Sequence, residues 1–154
     1  MNEIWFICKA GKDAGIGHFS RCVHVAEYLK DLGVKSKILV LYDEPIVLPE
    51  SYDKVDIQFL SNEELSGFCL KNRMPDGIVF DLGKVAREIL LKFNALRIPI
   101  ISLSPIFEYN NEIDYYIGRV PPIGKSLDSS QMLVDPGCVV INSKIPRLSQ
   151  KEFK

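Results

Sequence analysis

The sequence predicts an α/β domain built on a mostly parallel sheet with helices on both faces. Three observations carry this expectation. Short apolar runs of strand length alternate with stretches whose apolar residues recur every three or four positions, the pattern of strands joined by helical crossovers. The runs are continuously apolar, as in strands covered on both sides. The 154 residues, 47% hydrophobic and 25% charged, suit one domain with its own core. Together these describe a Rossmann-like domain over residues 1–145, with 146–154 a polar tail or the start of a linker.

Ile4-Trp5-Phe6-Ile7-Cys8 is the first buried strand. A glycine-containing loop, Lys9 to Gly17, leads to a helix in which Phe19, Cys22, Val23, Ala26, Leu29 and Leu32 keep helical spacing and Gly33 supplies the stop. Ile38-Leu39-Val40-Leu41 is the second strand and completes a βαβ unit. Ile57-Gln58-Phe59-Leu60 follows. Ser61 and Glu64 then form a capping-box pair that opens a short helix to about Lys71. Ile78-Val79-Phe80 is a strand ending at Asp81, and Val85, Ala86, Ile89, Leu90, Phe93 and Leu96 mark the next helix. Pro99 precedes the strand Ile100-Ile101-Ser102-Leu103, and weaker strands are expected at Ile113–Ile117 and Cys138–Ile141. Residues 118–137, rich in Pro, Gly and Ser, read as irregular.

Composition narrows the classes. Nineteen basic and twenty acidic residues give no global positive field, so nothing calls for nucleic acid as a partner. No apolar run approaches the ~20 residues of a membrane helix, and the N-terminus lacks the charge order of a signal peptide. Cys8, Cys22, Cys69 and Cys138 form no CxxC, so they read as reduced thiols of a cytoplasmic protein. No metal or cofactor is called for: His18 and His24 are six residues apart, off metal-ligand spacing on one helix face.

The informative segment is Gly11 to Cys22. Gly15 and Gly17 follow the first strand and open the first helix, where backbone turns sharply or meets a ligand and helix N–H groups point outward. Ser20 stands where a dinucleotide fingerprint needs its third glycine, so a nicotinamide site is not expected. His18 at the loop–helix junction suits a general base toward water or a phosphate ligand, and Arg21, one turn on, suits a fork to an anionic oxygen. A capping histidine and a solvated arginine explain the same residues. Asp81 is either a site carboxylate or the cap of a helix starting near Lys84. Phe107, Tyr109, Tyr115 and Tyr116 read equally as a sugar-stacking wall or as packing, and Glu108, Glu112 and Asp114 read as a solvated face.

The stretch DAGIGHFSRCVHVAEYLKDLG resembles the N-terminal motif of the nucleotide-sugar hydrolases of pseudaminic-acid biosynthesis and their spore-coat-polysaccharide relatives. Their pattern is a strand, an acidic-Gly loop, G-x-G-H-x-x-R-C and a helix carrying L-A-x-x-L; Gly15, Gly17, His18, Arg21, Cys22, Ala26 and Leu29 match it. The resemblance implies half of a glycosyltransferase-B (GT-B) fold. It also implies hydrolysis of the sugar–phosphate bond of a UDP-linked amino sugar in bacterial surface-glycan synthesis. His18 would activate water, Asp81 would orient the sugar or His18, and Gly15, Gly17 and Arg21 would line the substrate. A second α/β domain, a partner chain or a second copy would complete the cleft. The chain departs from the family pattern at Leu82-Gly83, where an aromatic residue is usual, and at Ser102-Leu103-Ser104-Pro105, where acidic residues are usual. Two other readings remain open. One is a non-catalytic sugar- or protein-binding module; the other is half of a GT-B glycosyltransferase.

Overall fold

Gly33 ends the first helix as its sequence position suggests. Its φ of 77° lies in the left-handed region, its N–H bonds the Lys30 carbonyl at 2.9 Å, and the Val34 N–H returns to Leu29 at 3.0 Å. The chain thereby turns straight into a strand parallel to the one it left. The same logic builds the rest of the domain. The structure is a computed structural model that describes residues 3–12, 15–42, 55–104, 109–118 and 129–135.

The elements are β1 (Glu3–Lys9), α1 (Gly17–Asp31), β2 (Lys35–Leu41), β3 (Asp56–Leu60), α2 (Asn62–Lys71), β4 (Gly77–Asp81), α3 (Arg87–Ala95), β5 (Ile100–Ser102), β6 (Tyr115–Gly118) and β7 (Met132–Val134). Short 3-10 turns at Asn110–Glu112 and Ser129–Gln131 precede the last two strands. The strands form one sheet in the order β3-β2-β1-β4-β5-β6-β7, and every pairing is parallel. The chain moves outward from β1 to β3, then returns to β4 and proceeds the other way. The direction reverses between β1 and β4, the place where open α/β sheets form a crevice beyond their strand ends.

Alternation along each strand divides the core in two. Trp5, Ile7, Leu39, Ile78 and Phe80 pack with Leu65 of α2 and Leu90 and Phe93 of α3. Phe6, Cys8, Ile38, Val40 and Val79 pack on the other face with Phe19, Cys22, Val23 and Ala26 of α1. Each large side chain buried this way contributes about 1.5–3 kcal/mol of transfer free energy. The capping box of α2 forms as its sequence predicts: the Glu64 N–H donates to Ser61 Oγ at 3.2 Å and the Ser61 N–H to Glu64 Oε2 at 2.7 Å.

Several boundaries differ from the sequence reading. α3 starts at Arg87 with Ala86 as its N-cap, so Asp81, six residues upstream, caps nothing. β6 begins at Tyr115 rather than Ile113, whose side chain is buried just before it. Met132–Val134 forms β7 inside a stretch read as irregular, because three residues suffice to pair with β6 at Tyr116, Ile117 and Gly118. The strand expected at Cys138–Ile141 and the tail at 146–154 lie outside the described residues. No helix among the described residues is long and apolar enough to cross a membrane.

Candidate functional site

The loop after β1 is short and internally bonded. Gly11 and Gly15 face each other in an antiparallel bridge, the Gly15 N–H reaching the Gly11 carbonyl at 2.7 Å and the Gly11 N–H reaching Gly15 at 3.3 Å. Gly15 has φ of 65°, a conformation that side chains with a Cβ adopt at a cost. α1 then starts at Gly17 with Ile16 as N-cap. Ile16 gives no side-chain acceptor, and no acidic residue stands in the first turn. The positive end of the helix therefore meets the crevice without a carboxylate of its own first turn.

His18 and Arg21, three residues apart, share one face of α1. Both turn to Asp81, the last residue of β4. Asp81 is completely buried, whereas the side chains of His18 and Arg21 keep about a third of their surface. Arg21 grips the carboxylate with two bonds, Nε to Oδ2 at 2.6 Å and Nη2 to Oδ1 at 2.5 Å. His18 Nδ1 lies 2.8 Å from Oδ1. Two lone pairs do not face each other at that distance, so Nδ1 carries a proton; in the neutral ring the lone pair is then on Nε2. The buried negative charge is thus met by the Arg21 cation and by further hydrogen-bond donors, as buried charges must be. The same pairing raises the Arg21 pKa above its ordinary value, mainly through the hydrogen bond to Asp81.

The sequence reading gave the Arg21 fork to a ligand oxygen. In the folded chain Asp81 takes it. Asp81 in turn is fully buried and faces His18. Sequence reasoning also missed Ser104. Its hydroxyl donates to Asp81 Oδ1 at 2.6 Å and accepts from Arg21 Nη2 at 3.2 Å, and its backbone carbonyl accepts from Ser102 Oγ. The signal lay in the departure itself: two serines stand at the end of β5, where the resembling family carries acidic residues, and β5 is the neighbour of β4.

The other candidates separate. Tyr116 is buried in the core and Tyr109 packs partly against it, while Tyr115 faces the opposite side half exposed, so these three form no common wall. Phe107 and Glu108 lie outside the described residues. Glu112 and Asp114 are not simply solvated: Glu112 accepts from Arg87 and Asn94, and Asp114 Oδ2 accepts from the Ile100 N–H at 2.7 Å. Both tie the β5–β6 connection to its neighbours. Among the described residues no three His, Cys, Asp or Glu side chains are grouped to hold a metal ion. Cys8, Cys22 and Cys69 are buried free thiols.

No family model and no curated protein matches the chain. Among solved structures, MurG of Acinetobacter baumannii is similar over 88% of this chain, with a TM-score of 0.56 at 12% identity. The fold is that of a GT-B half-domain. The match takes in 46% of MurG, so the chain spans about half the length of that protein. In this frame, the His18–Asp81–Arg21–Ser104 cluster sits at the sheet's switch point, on the α1 side of the strand ends.

Proposed function

We propose that the chain is the N-terminal half of a nucleotide-sugar enzyme that cleaves the sugar–phosphate bond of a UDP-linked amino sugar in bacterial surface-glycan synthesis. The observation that carries this reading is the 2.8 Å contact between His18 Nδ1 and the buried Asp81 carboxylate, which leaves Nε2 as a base at the crevice. Water attacks the anomeric carbon, the bond from that carbon to the phosphate oxygen breaks, UDP leaves with the electron pair, and Nε2 takes the proton from water. The resulting imidazolium faces Asp81, which is already held by Arg21. Gly15, Gly17 and the start of α1 offer backbone to the sugar–phosphate side, and the exposed part of Arg21 adds positive charge there. Neither a metal nor a cofactor has a part in this scheme. The partner is a second α/β domain or chain that completes the cleft, with a second copy as the alternative, in the cytoplasm.

A second reading is favoured by the likeness to MurG: the same base takes the proton of an acceptor hydroxyl, and the sugar is transferred rather than released. Titrating the chain with UDP and a UDP-amino sugar, while following the His18 ring and the Gly15 and Gly17 amides by NMR, tests both. Localised shifts that vanish in His18→Ala are expected. Absence of any shift at millimolar ligand sinks binding by this chain alone and favours a non-catalytic module that depends on a partner. Release of free sugar against formation of a glycoside separates hydrolysis from transfer.

A further inference from the structure

We propose that two copies of this chain associate through the α1 side of β5, β6 and β7, each laying the outer flank of its α1 on the open sheet floor of the other. The proposal does not depend on the chemistry assigned to His18, because this face lies beside the crevice and not across it.

The floor follows from strand register. Ile101 of β5 packs with the core on the α1 side of the sheet. Its register partner on β6 is Tyr115, and Ile117, two residues on, is the partner of Leu133 on β7. Register partners point the same way and alternate residues share a side, so all four look out on the side that α1 occupies. α1 covers Phe6, Ile38 and Val79 there. Farther along, Tyr115 is 51% and Leu133 57% exposed. Handedness accounts for the opening. Parallel strands are joined by right-handed connections, so α1, which steps from β1 to β2, lies on one face and α3, which steps the other way from β4 to β5, lies on the opposite one. A connection stepping onward toward β7 takes the α3 face as well.

α1 extends the patch as a ridge. Tyr28 and Leu32 follow Arg21 by about two and three helical turns and share its flank of the helix. The bonds from Arg21 to Asp81 of β4 and to Ser104 after β5 turn that flank toward the open floor. Tyr28 is 65% and Leu32 62% exposed.

Ridge and floor together point to a second copy as the occupant. A domain that completes the crevice stands beyond the strand ends, so it does not lie along the side of the sheet. A two-fold axis sets the ridge of one copy on the floor of the other and the reverse, so a single patch supplies both halves of the contact. The area agrees. With aromatic side chains of about 150–250 Å² and leucines somewhat smaller, the four exposed residues leave roughly 400–500 Å² of mostly apolar surface open. A standard interface takes about 800 Å² from each partner, and about 65% of a homodimer interface is apolar, which asks for roughly 500 Å². Two of the four are tyrosines, a residue enriched in interfaces.

Sedimentation velocity of the full chain in reductant, from about 1 to 100 μM, tests this. A dimer is expected to dominate at the upper end. Tyr28→Lys on the ridge and Leu133→Glu on the floor are each expected to weaken the dimer at least tenfold. Mixed in equal amounts, the two variants are expected to form a dimer again, since the axis then sets the new lysine of one copy against the new glutamate of the other. Leu91→Lys, on α3 at the opposite face, is expected to change nothing. More than half of each side chain at 28 and 133 is exposed, so both variants are expected to fold, with Leu32→Lys replacing Tyr28→Lys if that one does not. A wild type that stays monomeric throughout overturns the proposal, as does a dimer that ignores both variants or that Leu91→Lys weakens equally. A mixture that stays monomeric overturns the pairing of ridge with floor. Sugar-nucleotide titration is read separately, so a dimer that binds none defeats the functional reading and leaves the interface standing.

Discussion

Cys8 of β1 and Asp81 of β4 are register partners on adjacent strands, and Cys22 of α1 bridges the two. The Cys22 thiol lies 4.0 Å from Asp81 Oδ2 and hydrogen-bonds Cys8. A thiol in this position is held far from ionisation, first by the bond to Cys8, then by burial and by the Asp81 charge, with Arg21 acting the other way. The consequence appears in alkali. The unfolded chain releases this proton near pH 9 and the folded chain retains it, so the native state binds more protons and stability falls as pH rises above that value. The slope expected for one proton is about 1.4 kcal/mol per pH unit. Urea unfolding in reductant from neutral to alkaline pH is expected to show it, and Cys22→Ala to flatten it. An unaltered slope in Cys22→Ala would count against the assignment.

Removing Asp81 alone strands Arg21 and takes the acceptor from His18. Asp81→Ala is expected to cost about 3 kcal/mol, the lower end for breaking a buried pair because Arg21 is partly exposed. Replacing the pair together, Asp81→Leu with Arg21→Met, is expected to cost clearly less than the single change, since apolar packing needs no compensating charge. Denaturant midpoints of both variants decide this. Equal or additive losses would show that the carboxylate is held for reasons other than the pair.

The two loop glycines answer differently to alanine. A Cβ at Gly17 meets nothing within 4 Å and the residue is helical, so Gly17→Ala is expected to raise stability by up to about 1 kcal/mol. If that open space takes the sugar–phosphate as proposed, the same variant is expected to weaken sugar-nucleotide binding. Gly15→Ala pays for its φ of 65° with about 1 kcal/mol of stability. Thermal melts and ligand titrations on the pair separate backbone strain from ligand contact.

Gly118 is needed for a different reason. A Cβ there would run into the hydroxyl, Cζ and Cε1 of Tyr116, two residues back on the same face of β6. Tyr116 is 2% exposed and has nowhere to swing. Gly118→Ala is expected to cost about 1–3 kcal/mol. Tyr116→Leu with Gly118→Ala should recover part of that loss in the same unfolding assay.

Much of this architecture is legible in local sequence because it is written locally. The apolar runs around Phe6, Leu39, Val79 and Ile101, the helical spacing of α1, the Ser61–Glu64 box and the Gly33 stop each depend on neighbours a few residues away. The place of the His18–Arg21 end of the cluster is legible too, since a glycine loop after the first strand marks a crevice in any such sheet. The partners within the site are not. His18 meets Asp81 across 63 residues and Arg21 meets Ser104 across 83, distances over which periodicity carries no information. Arg21 reads as solvent- or ligand-facing until β4 is laid beside β1. Ser104 reads as a missing acid until β5 is laid beside β4. β7 is hidden for another reason: three residues, Met132 to Val134, are too few to show a pattern.

The same long separations set an order on assembly. Parallel pairing requires each crossover to close before its contacts form, which makes such sheets slow to fold. β1, α1 and β4 bring His18, Arg21 and Asp81 together, but the second Nη2 hydrogen finds Ser104 only when β5 has paired with β4 at Ile78, Val79 and Phe80. A refolding chain in which β5 has yet to dock would hold Asp81 with the Arg21 fork and His18 but without the Ser104 hydroxyl. Completion of the hydrogen bonds around the carboxylate thus reports the docking of that strand.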